Sequence, residues 1–484
     1  MHFFFKTDAN ENIGSGHLQR CLNIASLIDK KNKITFLFHR TPKFLIKKIK
    51  KKFNIINLIN NEELFKKNFF LKKEQRCLIV DDYKTNYSWE KKISKFFVKV
   101  LVIDDEIKKK HFCDYYLNQN IIDNRKKFFF LKNFNETRCM LGPRYALIEK
   151  KYSKYSRLIK KKILKNIIIS FGGSDRENLT GRVLQVLSKQ KYTNLKINVI
   201  LGPSYNFYKE LKKKYLSNKN IFLYKNLSSL SKLNFLSNLA IGSAGISSWE
   251  RLCVSLPSVV FLVSNNQKII IEGLKKRNLI IYAGKEKKFN NKNFEVLVDK
   301  SILNYKKNLK IMEYGRSIVD GNGSQRLLEI FFPSRNQDLK MKKADYNDLY
   351  NYYNWVNDRD VIKNSFTKKS ISFDDHKKWF LNQLKFSKKN YLYIFYLNQL
   401  PIGQVRLNCS NKICKIDYSV DKDFRGRGFA LQMIKKICKM RFFNCKKIIA
   451  EVKKKNIPSI KIFKKLGFKR SSKKNKIIFY KFAS

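Results

Sequence analysis

His2-Phe3-Phe4-Phe5, then Gly14-Ser15-Gly16-His17, then Leu18 to Ile28: an apolar run, a glycine turn and a helix-like stretch open the chain. Two glycines let a backbone turn sharply and approach a ligand closely. The helix N-terminus that follows offers unpaired N–H groups to an anion. A histidine at that point is a candidate acid or base beside a phosphate-bearing substrate. Outward from this unit the pattern repeats. Ile34 to Phe38, Cys77 to Val80 and Val100 to Ile103 are short, nearly continuous apolar runs, as strands covered on both faces should be. Strands alternating with helices predict a parallel sheet. After the basic stretch 150–165 the pattern restarts at Asn166-Ile167-Ile168-Ile169-Ser170, which runs into Phe171-Gly172-Gly173-Ser174-Asp175. Further strands are expected at Ile197–Ile200, Leu239–Ile241 and Ser258–Phe261. Two α/β lobes, 1–155 and 156–333, with a cleft between them are therefore expected.

Pro333-Ser334-Arg335-Asn336 reads as a linker, and the pattern then changes. Aromatic-rich helical stretches (Tyr346 to Trp355 and Asp374 to Leu384) precede strands at Tyr391–Tyr396, Ile402–Leu407 and Ile413–Val420. A loop at Arg425–Ala430, a helix to about Met440, a strand at Lys447–Val452 and a helix at Pro458–Leu466 complete an α+β domain over 338–484. Its size is ordinary for one domain.

Composition bounds the function. The 484 residues suggest two to four folding units, and an apolar fraction of 43% with 39 Phe excludes global disorder. No run approaches the roughly 18 apolar residues of a membrane span. The N-terminus lacks a signal peptide's basic and long apolar regions. A cytoplasmic protein without membrane insertion is expected. The nine cysteines form no CxxC pair and read as free thiols, and the five histidines have no metal-ligand spacing, so no metal is expected. The net charge of +65 raises nucleic-acid binding. Its lysine runs are spread over the whole chain, however, without a zinc-finger or RNP-type motif, so no specific nucleic-acid partner is expected.

The first two-thirds resembles a known family. Asp8-Ala9-Asn10 with Ile13 to Cys21, Val80-Asp81-Asp82-Tyr83, Ile103-Asp104-Asp105-Glu106 and Gly142 to Ile148 are similar to the UDP-sugar hydrolases of pseudaminic acid biosynthesis. So are Phe171 to Asp175, Gly242-Ser243-Ala244-Gly245 with Glu250, and Asn266-Gln267. That resemblance implies two Rossmann-like lobes of the GT-B kind and a histidine base, His17. The chemistry suits the role: hydrolysis needs an aligned water, a base and donors for the departing UDP. Gly14 and Gly16 allow backbone near the sugar or phosphate. Gly172, Gly173 and Ser174, with Ser243, Ala244 and Gly245, can cradle nucleotide and diphosphate through N–H groups. By resemblance Glu250 accepts the ribose hydroxyls, and Tyr83, Asn266 and Gln267 lie near sugar or phosphates. Asp81, Asp82, Asp104 and Asp105 invite a metal reading, but aspartates at strand ends more often cap turns or bind substrate. Asp8 is expected to be structural or to support the glycine turn.

Val420 to Ala430 resembles the acetyl-coenzyme A loop of GCN5-related N-acetyltransferases (GNAT), whose pattern Arg425, Gly428 and Ala430 satisfy. Asn456, Ser459 and Leu466-Gly467-Phe468 match that family's second motif. The expected cofactor set is Val420, Arg425, Gly426, Arg427, Gly428, Phe429, Ala430, Asn456 and Ser459, with acetyl-CoA as cosubstrate. Where relatives often carry a tyrosine that protonates the leaving thiolate, this chain has Phe463. His376 and Glu451 are further acid–base candidates, and His376 reads equally as a surface or substrate-orienting residue. Together the resemblances imply a bifunctional enzyme. It would acetylate a UDP-linked 4-amino sugar and then hydrolyse the diacetamido product, UDP-2,4-diacetamido-2,4,6-trideoxy-β-L-altropyranose, to free sugar and UDP. The alternative is a UDP-sugar glycosyltransferase fused to a protein N-acetyltransferase.

Overall fold

The computed structural model describes the chain except residues 10–15, 66–74, 107–108, 123–136, 159–162, 226, 334–337, 367–368, 386–389, 399, 441–444, 473–475 and 483–484. It divides into two compact units, Met1–Pro333 and Ser334–Ser484.

The first unit holds two parallel sheets. In one, β1 (His2–Thr7), β2 (Lys33–Phe38), β3 (Asn54–Asn57), β4 (Arg76–Asp81), β5 (Lys99–Ile103), β6 (Tyr115–Asn118) and β7 (Arg138–Leu141) lie in the order β3-β2-β1-β4-β5-β6-β7. In the other, β8 (Asn166–Ser170), β9 (Lys196–Leu201), β10 (Ile221–Lys225), β11 (Leu239–Ser243), β12 (Ser258–Leu262) and β13 (Ile281–Lys285) lie in the order β10-β9-β8-β11-β12-β13. Both orders are doubly wound, and each reverses direction beside its first strand. The apolar runs explain the burial on both faces. Phe3 and Phe5 enter one core with Ile79, Leu101 and Ile103, whereas Phe4 enters the opposite one with Leu78, Val80, Val100 and Val102. Alternation of period two thus divides a continuous apolar strand between two layers.

The chain returns to its first sheet before leaving the unit. Leu327, Ile330 and Phe331 of the helix Gly323–Phe331 are buried in the core built by Phe3, Phe5, Leu18 and Cys21. Lys99 Nζ donates to the Phe331 carbonyl at 2.7 Å, and the Arg326 guanidinium donates to the Arg144 carbonyl. The two lobes also meet at Gly273, where a Cβ would lie 3.0 Å from that of Ile121.

The second unit is one mixed sheet: β14 (Leu339–Lys343), β15 (Asn390–Leu397), β16 (Leu400–Ser410), β17 (Ile413–Val420), β18 (Lys447–Lys453), β20 (Lys476–Phe482) and β19 (Lys469–Ser472) in that spatial order. Among the described residues only the β17–β18 pair is parallel, and it joins just Ile413–Lys415 to Lys447–Ile449. Beyond that register the two strands have no paired residues, and a gap opens between them.

One reading of the cysteines is corrected. Cys409 and Cys414 are directly opposed across the β16–β17 hairpin and form a disulfide, so not all nine cysteines are free thiols. Cross-strand register, which spacing alone does not reveal, brings them together. Among the described residues no helix is long and apolar enough to cross a membrane.

Candidate active sites

In the first lobe the polar residues collect where β1, β4 and β5 end, at the reversal point of the sheet, the usual ligand position in such folds. His17 is the second residue of the helix Gly16–Ala25 and is only 5% exposed. Its Nδ1 lies 2.5 Å from Oδ1 of Asp81, the last residue of β4. The Tyr83 ring meets the imidazole edge-on, with centroids 4.5 Å apart. Burial alone would raise the Asp81 carboxyl, but Arg20 and His17 outweigh it and hold Asp81 at about 2. An ionised carboxylate only accepts, so Nδ1 carries a proton, and in the neutral ring Nε2 is then the nitrogen with the lone pair. This is the tautomer a general base requires.

Each neighbouring aspartate has protein partners. Asp8 accepts from the amides of His39 and Arg40 at 2.8 and 2.9 Å, tying the exit of β1 to that of β2. Lys6, fully buried, pairs with Asp82 at 2.6 Å. Asp104 accepts from the Glu106 amide at 2.9 Å and the Tyr116 hydroxyl at 3.2 Å. Asp105 accepts from Arg20 at 2.8 Å and from the Tyr83 hydroxyl at 3.1 Å. Among the described residues no group of three or more His, Cys, Asp or Glu side chains is placed to hold a metal ion. Gly16 opens the helix, and Gly14 lies outside the described residues.

In the second lobe the two glycine turns follow β8 and β11, the strands that flank its reversal point. Gly172 has φ +90°. Asp175 accepts from the amides of Leu179 and Thr180 at 2.9 Å each, at the start of the helix Leu179–Leu187 that Asn178 caps. Gly202 abuts the Gly172 and Gly173 carbonyls so closely that any Cβ there would displace the turn. Ser243 ends β11, Ala244 is buried, and Gly245 at φ +118° precedes the helix Ile246–Cys253. That helix directs its first amides toward the strand ends. Glu250, one turn on, is pushed up to about 7 by burial, with Arg251 opposing and Glu149 adding to the rise. Asn266 is exposed in the 3-10 turn Asn265–Gln267, while Gln267 Oε1 accepts from the Val263 amide at 3.3 Å.

In the second unit a cavity of about 910 Å³ fills the gap between β17 and β18. Val420, Arg425, Gly426, Gly428, Phe429, Ala430, Asn456 and Ser459 line it. Gly426 and Gly428 both adopt φ +78°, a conformation costly for any residue with a Cβ, and open space surrounds each. Their turn leads into the helix Phe429–Cys438, whose first amides are without intrahelical partners. Arg425 turns away from this loop: its Nε donates to the Val420 carbonyl at 3.0 Å, and its terminal nitrogens pair with Asp358 and Asp360 at 2.6 and 2.8 Å. Arg427 is outside the lining and lies over the Phe424 and Phe429 rings. Asn456 caps the helix Ile457–Lys465 by accepting from the Ser459 amide at 3.3 Å.

Phe463 is buried, 2% exposed, against Phe468 and Phe479. The cavity nevertheless contains a hydroxyl pair, Tyr418 and Ser459, 2.8 Å apart. His376 is 2% exposed in the cavity wall, not on a helix surface, and burial followed by Arg406 pushes it down to about 4. Glu451 is held by Lys415 and Lys476, each at 2.8 Å, which keep it ionised. Sequence reasoning did not single out Lys6, Arg20 or Gly202, and it placed an oxyanion-holding backbone N–H near Tyr418–Val420 without singling out the Tyr418 hydroxyl. Arg20 had a usable signal, because it follows His17 by one helical turn.

Residues 339–469 match the acetyltransferase (GNAT) domain family. The UDP-2,4-diacetamido-2,4,6-trideoxy-β-L-altropyranose hydrolase of Campylobacter jejuni is 30% identical over 247 residues, covering 50% of this chain and 85% of the hydrolase. Protein MJ1062 of Methanocaldococcus jannaschii, itself uncharacterised, is 26% identical over 96% of both chains. The spore coat polysaccharide biosynthesis protein SpsG of Bacillus subtilis is 21% identical over 70% of this chain and all of its own. Among solved structures, a spermidine N-acetyltransferase from Vibrio cholerae in complex with CoA and spermine is 17% identical. It covers 30% of this chain and 95% of its own, with a TM-score of 0.28. Through its N-terminal half the chain belongs to the family of the Campylobacter UDP-sugar hydrolase, and at residues 339–469 it carries an acetyltransferase (GNAT) domain.

Proposed function

We propose that the chain is a bifunctional cytoplasmic sugar-nucleotide enzyme. Its second unit acetylates the 4-amine of a UDP-linked 4-amino-4,6-dideoxy-N-acetyl-β-L-altrosamine. Its first unit hydrolyses the product to 2,4-diacetamido-2,4,6-trideoxy-L-altrose and UDP. The observation that carries the reading is the His17–Asp81 pair at the reversal point of a doubly wound sheet, 2.5 Å apart.

In the hydrolysis, His17 Nε2 takes a proton from water as the oxygen attacks the anomeric carbon. The bond from that carbon to the diphosphate oxygen breaks, and UDP leaves with the electron pair. Asp81 stabilises the imidazolium that forms. The amides around Gly172 and Gly245 offer hydrogen bonds to the departing nucleotide. In the acetylation, the cavity between β17 and β18 takes the thioester arm of acetyl-CoA, and the turn at Gly426–Gly428 takes the pyrophosphate. The neutral amine nitrogen attacks the thioester carbonyl, the C–S bond breaks with the coenzyme A sulfur leaving as thiolate, and the proton shed by the nitrogen passes to water or to that thiolate. The Campylobacter relative's name supports the sugar nucleotide, and the GNAT match supports the acetyl transfer.

The test is incubation of purified protein with the UDP-amino sugar and acetyl-CoA. Gain of one acetyl group followed by UDP release without any sugar acceptor is expected. UDP release that requires an acceptor would replace the hydrolase with a glycosyltransferase.

A further inference from the structure

Arg20 is 3% exposed and bridges two strand ends. Its Nε and one terminal nitrogen reach Asp81, the latter at 2.6 Å from Oδ1. Its other terminal nitrogen reaches both oxygens of Asp105 at 2.8 Å. Asp105 also accepts from the Tyr83 hydroxyl at 3.1 Å, and the Tyr83 ring closes on His17. The five residues therefore form a closed ring: His17, Asp81, Arg20, Asp105, Tyr83.

A buried arginine beside a diphosphate site first suggests an anchor for the leaving group. The geometry opposes that. All three guanidinium nitrogens hydrogen-bond to protein carboxylates, and the same terminal nitrogen that meets Asp81 Oδ1 lies 3.1 Å from His17 Nδ1. Because Nδ1 carries its own proton, that approach is between two donors sharing one carboxylate oxygen. The planar fork fixes the plane of Asp81 and thereby the direction of the Nδ1–H bond. Through Asp105 it also fixes Tyr83 against the imidazole. A lysine has the charge but not the fork, so it cannot hold both carboxylates in these planes.

We infer that Arg20 is the positioning residue of this site, clamping Asp81 and Tyr83 about His17, and that it does not bind the leaving diphosphate. This deepens the hydrolase reading and rests on it. The experiment compares wild type, Arg20→Lys and Asp105→Asn in steady-state UDP release. It also follows the imidazole N–H resonances of 15N-histidine-labelled protein without substrate. The clamp predicts a kcat lower by on the order of 10²-fold, the scale of a misaligned catalytic group, with KM within about threefold. It also predicts a displaced or lost low-field Nδ1–H resonance of His17, assigned by its absence in His17→Gln. If Arg20→Lys does not fold, as judged by its thermal melt, Asp105→Asn must show the same split, because it keeps the Arg20–Asp81 bonds and leaves a single amide oxygen to serve both Arg20 and the Tyr83 hydroxyl. A raised KM with unchanged kcat would overturn the inference in favour of a phosphate anchor. Unchanged kinetics and resonance would overturn it outright. A wild type that releases no UDP while Arg20→Lys still displaces the resonance would keep the clamp and refute the hydrolase reading.

Discussion

Replacement of Asp81 by Asn tests the proposed base directly. The side chain is nearly isosteric, but its donor–acceptor pattern is wrong for its partners. Asp81 now accepts from His17 Nδ1 and from two nitrogens of Arg20. An amide has one accepting oxygen. If that oxygen faces His17, the amide nitrogen opposes an Arg20 donor. If it faces Arg20, Nδ1 loses its acceptor, the proton moves to Nε2, and the base can no longer take one from water. General-base catalysis contributes typically ~10²–10⁴-fold. At 1.36 kcal/mol per decade this is about 3–5 kcal/mol of transition-state stabilisation. UDP release should therefore fall by that factor with KM for the sugar nucleotide nearly unchanged, because Asp81 orients the base and does not grip substrate. A coupled assay for UDP, run from pH 5 to 9 on protein whose circular dichroism matches wild type, measures it. Activity within threefold of wild type across that range would refute the assignment of His17 as an Asp81-oriented base.

Other substitutions separate the parts. His17→Ala should abolish UDP release and leave acetyl transfer, measured by free thiol formation, within about twofold; joint loss would argue against independent sites. Gly428→Ala forces a Cβ into φ +78° and should cost roughly 1–2 kcal/mol, weakening coenzyme A binding about tenfold in calorimetry. Glu250 has its carboxyl raised to about 7 from the ordinary 4.5, so the sign runs opposite to that of a salt-bridged acid. Its favourable share of stability is full below pH 4.5 and is lost as the pH rises through 7. Glu250→Gln should remove that loss, giving a melting temperature that falls less than wild type's between pH 5 and pH 8 without ligand. A steeper fall would show that Glu250 is stabilised as a carboxylate.

Much of this architecture was legible because its central strands are unusually apolar. Phe3 to Phe5, Leu78 to Val80 and Ile167 to Ile169 announce strands buried on both faces. The strands at or next to the edges of the first sheet were not legible. Asn54-Ile55-Ile56-Asn57 is short and half polar, and Tyr115–Asn118 and Arg138–Leu141 gain their strand character from pairing with neighbours. Propensity is weak where tertiary register decides. In the candidate site, the glycine turn and its histidine stood out locally. The partners did not, because Asp81 lies 64 residues from His17 and Asp105 lies 85 from Arg20. Only the strand order brings those ends together. The aspartates looked alike in sequence yet divide in the structure: Asp8 and Asp175 fix turns, whereas Asp81 faces the imidazole. The Arg425 side chain differs in a similar way, since its partners on the 358–360 segment are remote in sequence.

The helix Gly323–Phe331 has a consequence for how the polypeptide is made. The interior surrounding Phe3 and Phe5 is completed by Leu327, Ile330 and Phe331, which emerge from the ribosome more than 300 residues later. The earliest-synthesised lobe therefore waits, with an unfinished apolar face, until the other lobe has been translated. A gene cut between the lobes would leave that face permanently open to aggregation.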